Sequence, residues 1–204
     1  MIVAASAPAK VILVGEHAIM YGGTAIVMAI NKRLKVTVRR VAESQAESQD
    51  DQAEANRRMT PSEFKQSHPE LQPTKAMVAF MANYFGMEVR ELKIESDIPQ
   101  GAGLGSSAAL SVAISAALLG RIDHDRLAQA AWLGDHFFHG APSGLDTDGS
   151  LYGGLRVKRG KGKSQSLNLQ IEESILIVDT GITHSTVAVN QAIREKWAHN
   201  QAGL

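Results

Sequence analysis

The pattern of hydrophobic and polar positions predicts strands at the N-terminal end of the chain. Residues 2–5 and 10–14, which are apolar except for Lys10, predict two short strands around Ser6-Ala7-Pro8. Residues 24–30 form an apolar stretch that fits either a helix or a strand. Residues 34–39 alternate apolar and polar side chains, which is the period-two pattern of a half-exposed strand.

Helical patterns dominate the middle of the chain. Thr60-Pro61-Ser62-Glu63 resembles a capped helix start, because proline suits the first turn and Glu63 can reach back to the cap. A second helix start is predicted at Thr74, and that helix stops at Gly86. Further predicted helices are 108–119, 126–138 and 186–197, and further predicted strands are 89–94, 151–157 and 175–178.

The polar run 42–58 lies within a wider polar insert, 42–74, and predicts a solvated helix or a loop. A basic, hairpin-like KRGKGKS segment separates the last two predicted strands. Strands and helices occur throughout the chain, with two hairpin-like pairs. The fold class is therefore α+β, or α/β with mixed strands.

Composition then narrows the classes of protein. The 204 residues are 44% hydrophobic and 21% charged, which excludes a disordered or collagen-like chain. Lys+Arg and Asp+Glu are 21 each, so we expect no nucleic-acid and no membrane partner. The chain has no cysteine, which excludes disulfides, cysteine-ligated metals and thiol nucleophiles. Together with the lack of a signal-peptide pattern, this predicts a cytoplasmic location.

The segment 99–109, PQGAGLGSSAA, joins a predicted strand to a buried helix and is a candidate phosphate-binding loop. Gly101, Gly103 and Gly105 let the backbone bend tightly, and the helix adds unpaired amides and its positive dipole end. A glycine turn with a serine helix cap is the alternative, but Ser106 and Ser107 before this helix favour phosphate. The segment matches neither a P-loop nor a dinucleotide-binding fingerprint.

Several polar groups elsewhere could carry chemistry. An acyl-transfer site is disfavoured because no G-x-S-x-G motif exists, and a zinc site using His17, His136 and His139 lacks H-E-x-x-H. We interpret His136 and His139 as ordinary helix-end residues.

Phosphoryl transfer fits these residues better. It needs an anion cradle, an oxygen ligand for Mg²⁺, a positive charge and a carboxylate that accepts a proton. The oxygen ligand can come from Ser107 or Asp135, the positive charge from Lys10 and the carboxylate from Asp146. Each also has a simpler interpretation: a helix cap, a solvated helix acid, a surface lysine and a turn aspartate.

Three segments together resemble the motifs of the GHMP kinases in order and spacing: PAKVILVGEHAIMYGG, DIPQGAGLGSSAAL and HGAPSGLDTDGSLYGG. The first and third resemble those of members that phosphorylate mevalonate. The resemblance covers nearly the whole chain except the insert 42–74. It implies an N-terminal ATP-binding domain over 1–170, with a fold like ribosomal protein S5 domain 2. It also implies that 171–204 begins a ferredoxin-like C-terminal domain.

The resemblance also implies residue roles. Asp146 matches the family's general base, and Lys10 would lie beside it and the reacting hydroxyl. Ser107 and Asp135 would bind Mg²⁺. Glu16, His17 and Thr186 would contact mevalonate, together with Lys10 and Asp146. The ATP phosphates would be wrapped by Pro99, Gly101, Ala102, Gly103, Leu104, Gly105, Ser106 and Ser107.

Three departures from the family pattern accompany these matches. Asp135 stands where relatives often carry glutamate, and His184 stands where some carry an arginine for the substrate carboxylate. The family's late glycine-rich motif has no counterpart in these 204 residues.

The expected reaction is ATP-dependent phosphorylation of the primary hydroxyl of mevalonate, which gives 5-phosphomevalonate and ADP. The alternatives are another GHMP kinase acting on phosphomevalonate, homoserine or a sugar, or a nucleotide-binding module without turnover. A homodimer is compatible with each of these.

Overall fold

The computed structural model describes residues 1–41, 59–120, 124–140, 142–169, 171, 172, 174–181, 189 and 193. The strands are β1 (Ile2–Val14), β2 (Thr24–Arg40), β3 (Val89–Ser96), β4 (Leu155–Arg159) and β5 (Gln165–Ser166). The α-helices are α1 (Pro61–Ser67), α2 (Pro73–Tyr84), α3 (Ser106–Leu119), α4 (His124–His139) and α5 (Leu145–Tyr152). A short 3-10 helix, Ala18–Tyr21, lies between β1 and β2.

The long strand β2 is the centre of an antiparallel sheet. It pairs with β1 over most of its length, from Arg39 opposite Ile2 to Ile26 opposite Val14. On its other edge, residues 24–28 pair with β4 and residues 34–40 pair with β3. β5 pairs with β4. The element order, with strands and helices mixed, agrees with the α+β class.

β1 corrects the prediction of two short strands, because the strand runs without interruption through Ser6-Ala7-Pro8. Proline lacks a backbone N–H and is tolerated in a strand that pairs on one side, as β1 does with β2. The pairing shifts register between Pro8 and Ala9. Residues 24–30, which fitted a helix or a strand, belong to β2 together with residues 34–39.

The helices cover one face of the sheet and enclose the main hydrophobic core. Phe64 of α1, Phe80 of α2 and Phe137 of α4 meet there, with ring centroids 5.5 Å and 5.6 Å apart for the two pairs that include Phe80. Such aromatic pairs contribute about 0.5–1.5 kcal/mol each beyond their buried area. The predicted capping box is confirmed, since Thr60 Oγ1 accepts a hydrogen bond from the Glu63 N–H at 3.3 Å.

Several predicted elements differ from the structure or fall outside the described residues, and one helix was not predicted. Helix α5 was not predicted, and it takes the first two residues of the predicted strand 151–157. Residues 175–178, a predicted strand, pair with no strand in the described ranges. The run 42–58 and most of the predicted helix 186–197 lie outside the described residues. No helix in the described part of the chain is both long enough and apolar enough to cross a membrane.

Candidate functional site: a glycine loop beside a lysine–aspartate pair

The glycine loop has the backbone conformation that its sequence predicts. Gly101, Gly103 and Gly105 have φ of 75°, 72° and 75°, in the left-handed region that favours glycine. Gly105 is the N-cap of α3 and makes no side-chain cap hydrogen bond. A Cβ atom at Gly105 would lie 2.7 Å from Cε of Lys10. The loop therefore packs directly on the lysine, and this contact leaves no room for a side chain.

Lys10 joins the loop to a carboxylate. It lies on β1, and only 3% of its surface is exposed. Its backbone N–H donates to the carbonyl oxygen of Leu104 at 3.0 Å. Its Nζ atom donates to the carbonyl oxygen of Gly103 at 3.1 Å and lies 3.1 Å from Oδ2 of Asp146. The interpretation of Lys10 as a surface lysine is therefore wrong.

Asp146 lies in the first turn of α5, and its side chain is 33% exposed. A ligand hydroxyl can therefore reach the carboxylate while the ion pair with Lys10 fixes its orientation. The helix is held close to the sheet because Gly149 leaves space: a Cβ atom there would lie 2.9 Å from Val27 Cγ2 and 3.2 Å from Lys10 Cβ.

Asp135 and Ser107, the predicted metal ligands, meet at the same imidazole. Nε2 of His139 lies 2.9 Å from Oγ of Ser107 and 3.6 Å from Oδ1 of Asp135. Asp135 is 1% exposed, so its interpretation as a solvated helix acid is wrong. Thr147 donates from Oγ1 to Asp135 Oδ2 at 3.0 Å, whereas Oδ1 has no hydrogen-bond partner within the described residues.

Burial sets the electrostatics of this carboxyl group. Desolvation raises the pKa of Asp135 to about 6. The positive charge of a protonated His139 opposes that rise, and the Asp146 carboxylate adds to it. Thr147 and Lys10 oppose it more weakly. A neighbouring cation would stabilise the ionised form of Asp135.

The close approach of α3 and α4 brings these side chains together. Gly134 of α4 faces Ser111 of α3, and a Cβ atom at Gly134 would lie 3.0 Å from Ser111 Cβ and Oγ. Ser111 Oγ donates to the carbonyl oxygen of Ser107 at 2.9 Å, one turn earlier in α3. The first turn of α3 consequently lies beside the last turn of α4.

The remaining predicted residues lie in three places. Glu16 and His17 form the turn between β1 and the 3-10 helix, and in the described part of the chain neither bonds to Lys10 or Asp146. Pro99 is exposed, whereas Ala102, Leu104 and Ser106 are half-buried in the loop. Thr186 and His184 lie outside the described residues.

Sequence reasoning missed two features of this region. It treated His139 as a helix-end residue, yet His139 links the two predicted metal ligands. It also missed a buried ion pair between Lys158 of β4 and Asp148 of α5, in which Nζ and Oδ2 are 2.9 Å apart. Asp135 and His139 are four residues apart on one helix, a spacing that is visible in the sequence. The contacts of His139 with Ser107 and of Lys158 with Asp148 join separate elements of the fold, so the order of residues alone carries no signal for them.

A cavity of about 380 Å³ lies elsewhere, between the first half of β1 and the C-terminal half of α3. Its lining includes Val3, Val112, Ala116 and Leu127, and none of the predicted site residues. The cavity is therefore separate from the glycine loop and from the Lys10–Asp146 pair.

Comparisons with known proteins identify the family that this chain resembles and several similar chains. A family model described as the GHMP kinases N terminal domain matches residues 73–154. The mevalonate kinase of Archaeoglobus fulgidus is 38% identical over 74% of this chain and 50% of its own length. The mevalonate kinase of Aeropyrum pernix is 34% identical over 89% of this chain and 58% of its own length.

A solved structure shows the same fold. The crystal structure of L. major mevalonate kinase in complex with R-mevalonate matches 96% of this chain and 61% of its own, with a TM-score of 0.60 and 21% identity. The chain thus spans about half to three fifths of the length of these relatives. Its motifs, its fold and its similarity to mevalonate kinases show that this chain belongs to the GHMP kinases.

Proposed function

We propose that the protein phosphorylates the primary hydroxyl of mevalonate with ATP, giving 5-phosphomevalonate and ADP. The observation that carries this proposal is the position of Lys10, whose ammonium group contacts both the glycine loop and the Asp146 carboxylate. A loop that can bind phosphate, a carboxylate that can accept a proton and a buried cation between them suit the transfer of a phosphoryl group to an alcohol.

In the proposed reaction, an oxygen of Asp146 accepts the proton of the substrate hydroxyl. The hydroxyl oxygen bonds to the γ-phosphorus as the bond to the β-phosphate oxygen breaks, and ADP leaves. Lys10 holds Asp146 in place and offers positive charge to the transferred group. Since Lys10 is buried against Gly103, its ammonium lies where the loop would present a phosphate.

The glycine loop would bind the phosphates of ATP through backbone N–H groups and the N-terminus of α3. The residues proposed to contact the nucleotide are Pro99, Gly101, Ala102, Gly103, Leu104, Gly105, Ser106 and Ser107. The tight packing of Gly105 on Lys10 fixes the loop relative to the acceptor carboxylate.

The residues proposed for magnesium fit that ion. Asp135 has a buried oxygen, Oδ1, without a hydrogen-bond partner in the described part of the chain, and Ser107 Oγ lies near the same imidazole nitrogen. One carboxylate and one hydroxyl suit Mg²⁺, which takes oxygen ligands and completes its shell with water and nucleotide phosphate. No cluster of three or more acidic, histidine or cysteine side chains that could hold a metal occurs in the described ranges. When bound, the ion would neutralise charge that develops on the phosphates.

Mevalonate is proposed as the acceptor because the curated relatives are mevalonate kinases and one solved relative was crystallised with R-mevalonate. Glu16, His17 and Thr186 are proposed to line its pocket together with Lys10 and Asp146. We also propose that 1–170 is an N-terminal domain like ribosomal protein S5 domain 2, that 171–204 begins a ferredoxin-like domain, and that the protein is cytoplasmic.

A coupled assay of ADP release tests the proposal, with mevalonate, phosphomevalonate, homoserine and galactose as acceptors. ATP affinity is measured in parallel by calorimetric titration, and Asp146→Asn serves as the inactive control. ADP release with mevalonate alone supports the proposal. Release with a different acceptor assigns another GHMP kinase activity. ATP binding without release for any acceptor identifies a nucleotide-binding module.

A further inference from the structure

Two ion pairs hold α5 from opposite sides, and the proposed mechanism uses only one of them. Asp146 pairs with Lys10 of β1, while Asp148 pairs with Lys158 of β4 at 2.9 Å. The Lys158 side chain is 8% exposed and that of Asp148 is 16% exposed. A charged pair that is largely buried calls for an explanation, because removing two charges from water is costly.

The sheet places both lysines on the face that α5 covers. Lys10 is the pairing partner of Ala29 and Lys158 that of Ala25, both on β2. Directly paired residues share a face, and so do residues separated by an even number along a strand. β1 and β4 flank β2, so one lysine rises on each side of the central strand.

The helix presents matching groups to these two lysines. Successive residues of an α-helix are about 100° apart, so Asp146 and Asp148 point about 200° apart around α5. Leu145 and Gly149 lie between them on the sheet-facing side. Leu145 is buried with Ala25 and Val27, and Gly149 faces Val27. The helix therefore rests on β2 with one carboxylate reaching down on each side.

We infer that the Lys158–Asp148 pair sets the rotation of α5 about its axis and so aims Asp146 at the reacting hydroxyl. Lys158 and Asp148 are positioning residues, and this inference rests on the proposed function of Asp146. A rotation of about 20° moves atoms about 5 Å from a helix axis by roughly 2 Å. Since a misplacement of about 1 Å can lower a rate about 100-fold, the anchor affects catalysis without touching the substrate.

The surroundings of Lys158 leave the helix little freedom to settle elsewhere. A Cβ atom at Gly144, the N-cap of α5, would lie 2.9 Å from Lys158 Nζ and 3.5 Å from Trp132 Cδ1. The Asp148 backbone N–H donates to the Gly144 carbonyl oxygen at 2.9 Å. The ammonium group of Lys158 consequently lies against Gly144, which precedes α5, as well as against Asp148 in the first turn of the helix.

The kinetic test compares Asp148→Asn, Lys158→Met and the double variant with the wild type. Each single change disturbs the pair and leaves the other member buried, so both should lower Tm. The double variant removes both charges and should recover much of the Tm. We expect its kcat to stay at least 10-fold below wild type, with KM for ATP within twofold. The control replaces the exposed pair Arg39–Glu91 by Arg39→Met with Glu91→Gln. It should leave kcat and KM for ATP unchanged.

A second test needs no enzymatic activity. Because the chain has no cysteine, Asp146→Cys introduces its only thiol. The Lys10 ammonium should favour the thiolate and speed its alkylation by iodoacetamide at neutral pH. Adding Asp148→Asn and Lys158→Met should slow that alkylation about three- to tenfold, because the thiol turns away from Lys10. If the double variant does not fold, the same measurement is made with Asp148→Asn alone.

Unchanged alkylation in the folded variant overturns the inference, and so does a double variant whose kcat lies within twofold of wild type. If the wild type releases no ADP with any acceptor, the proposed function fails. The alkylation rate then decides alone whether the pair sets the rotation of the helix.

Discussion

Replacing Asp135 by asparagine should stabilise the protein in the absence of magnesium and nucleotide. The substitution keeps the shape of the side chain and its acceptor for Thr147 Oγ1, and it removes a charge that is almost fully buried. Burial raises the pKa of this carboxyl from an ordinary 3.8 to about 6, so the folded chain holds a proton there more tightly than the unfolded chain.

The sign and size of the effect follow from proton linkage. Between pH 3.8 and about 6, the folded state binds more protons at Asp135 than the unfolded state, so the wild type loses stability as pH rises through this range. Above about pH 6 the full cost of the buried charge is present. At 1.36 kcal/mol for a tenfold change in proton affinity, this cost is about 3 kcal/mol. The advantage of Asp135→Asn should be absent near pH 4 and reach its plateau near pH 7.

Urea unfolding in EDTA, at intervals from pH 4 to pH 8, measures this difference. Asp97→Asn is the matched control, because it makes the same change at an exposed loop residue. Its unfolding free energy should parallel that of the wild type at every pH. A variant at Asp135 that is less stable than wild type at pH 7, or that shows the same pH dependence as wild type, would refute the reasoning.

Three further substitutions examine the proposed chemistry. Asp146→Asn should lower kcat by about 10²- to 10⁴-fold, as expected for loss of a general base, with ATP affinity nearly unchanged by calorimetry; normal turnover would exclude that role. Gly105→Ala should weaken ATP binding, because its Cβ would meet Lys10 Cε at 2.7 Å. Gly22→Ala, with a φ of 83° and nothing within 4 Å of the added Cβ, should leave that affinity intact. In a magnesium titration at fixed ATP, Asp135→Ala should raise the concentration needed for half-maximal rate, and Asp135→Glu should retain much of the activity; superimposed curves for Asp135→Ala and wild type would contradict metal binding.

Local sequence patterns predicted the elements that depend on contacts between residues near each other in the chain. They also predicted elements in which the arrangement of apolar and polar residues matches the period of a helix or a strand. The capping box at Thr60 and Glu63 was predicted because its hydrogen bonds join residues three apart. In strand β3, half-buried Leu92 and Ile94 alternate with exposed residues 91, 93 and 95, so the period of two is visible in the sequence. The buried helix α3 was predicted because small apolar residues occupy nearly every face.

Other elements depend on tertiary contacts that no short window shows. Helix α5 contains Gly149, which lowers helix propensity, but the same glycine permits the close approach to Val27. β1 passes through Pro8 because, among the strands that the structure describes, β2 alone pairs with it. The glycine loop and the candidate residues Lys10 and Asp146 were predicted from sequence motifs. The burial of Asp135 and its link through His139 to Ser107 required the packing of α3 against α4.

The exposed apolar segment 175–178 bears on the behaviour of the chain in solution. Ile175, Leu176, Ile177 and Val178 are exposed and pair with no strand among the described residues. Such a run, with high β propensity and without charge or proline, is a template for intermolecular strand pairing. Glu172 and Asp179 flank it and act as gatekeepers through charge repulsion between neighbouring copies. We therefore expect added salt to lower the concentration at which this polypeptide stays dispersed, because salt screens those charges and leaves the apolar run unopposed.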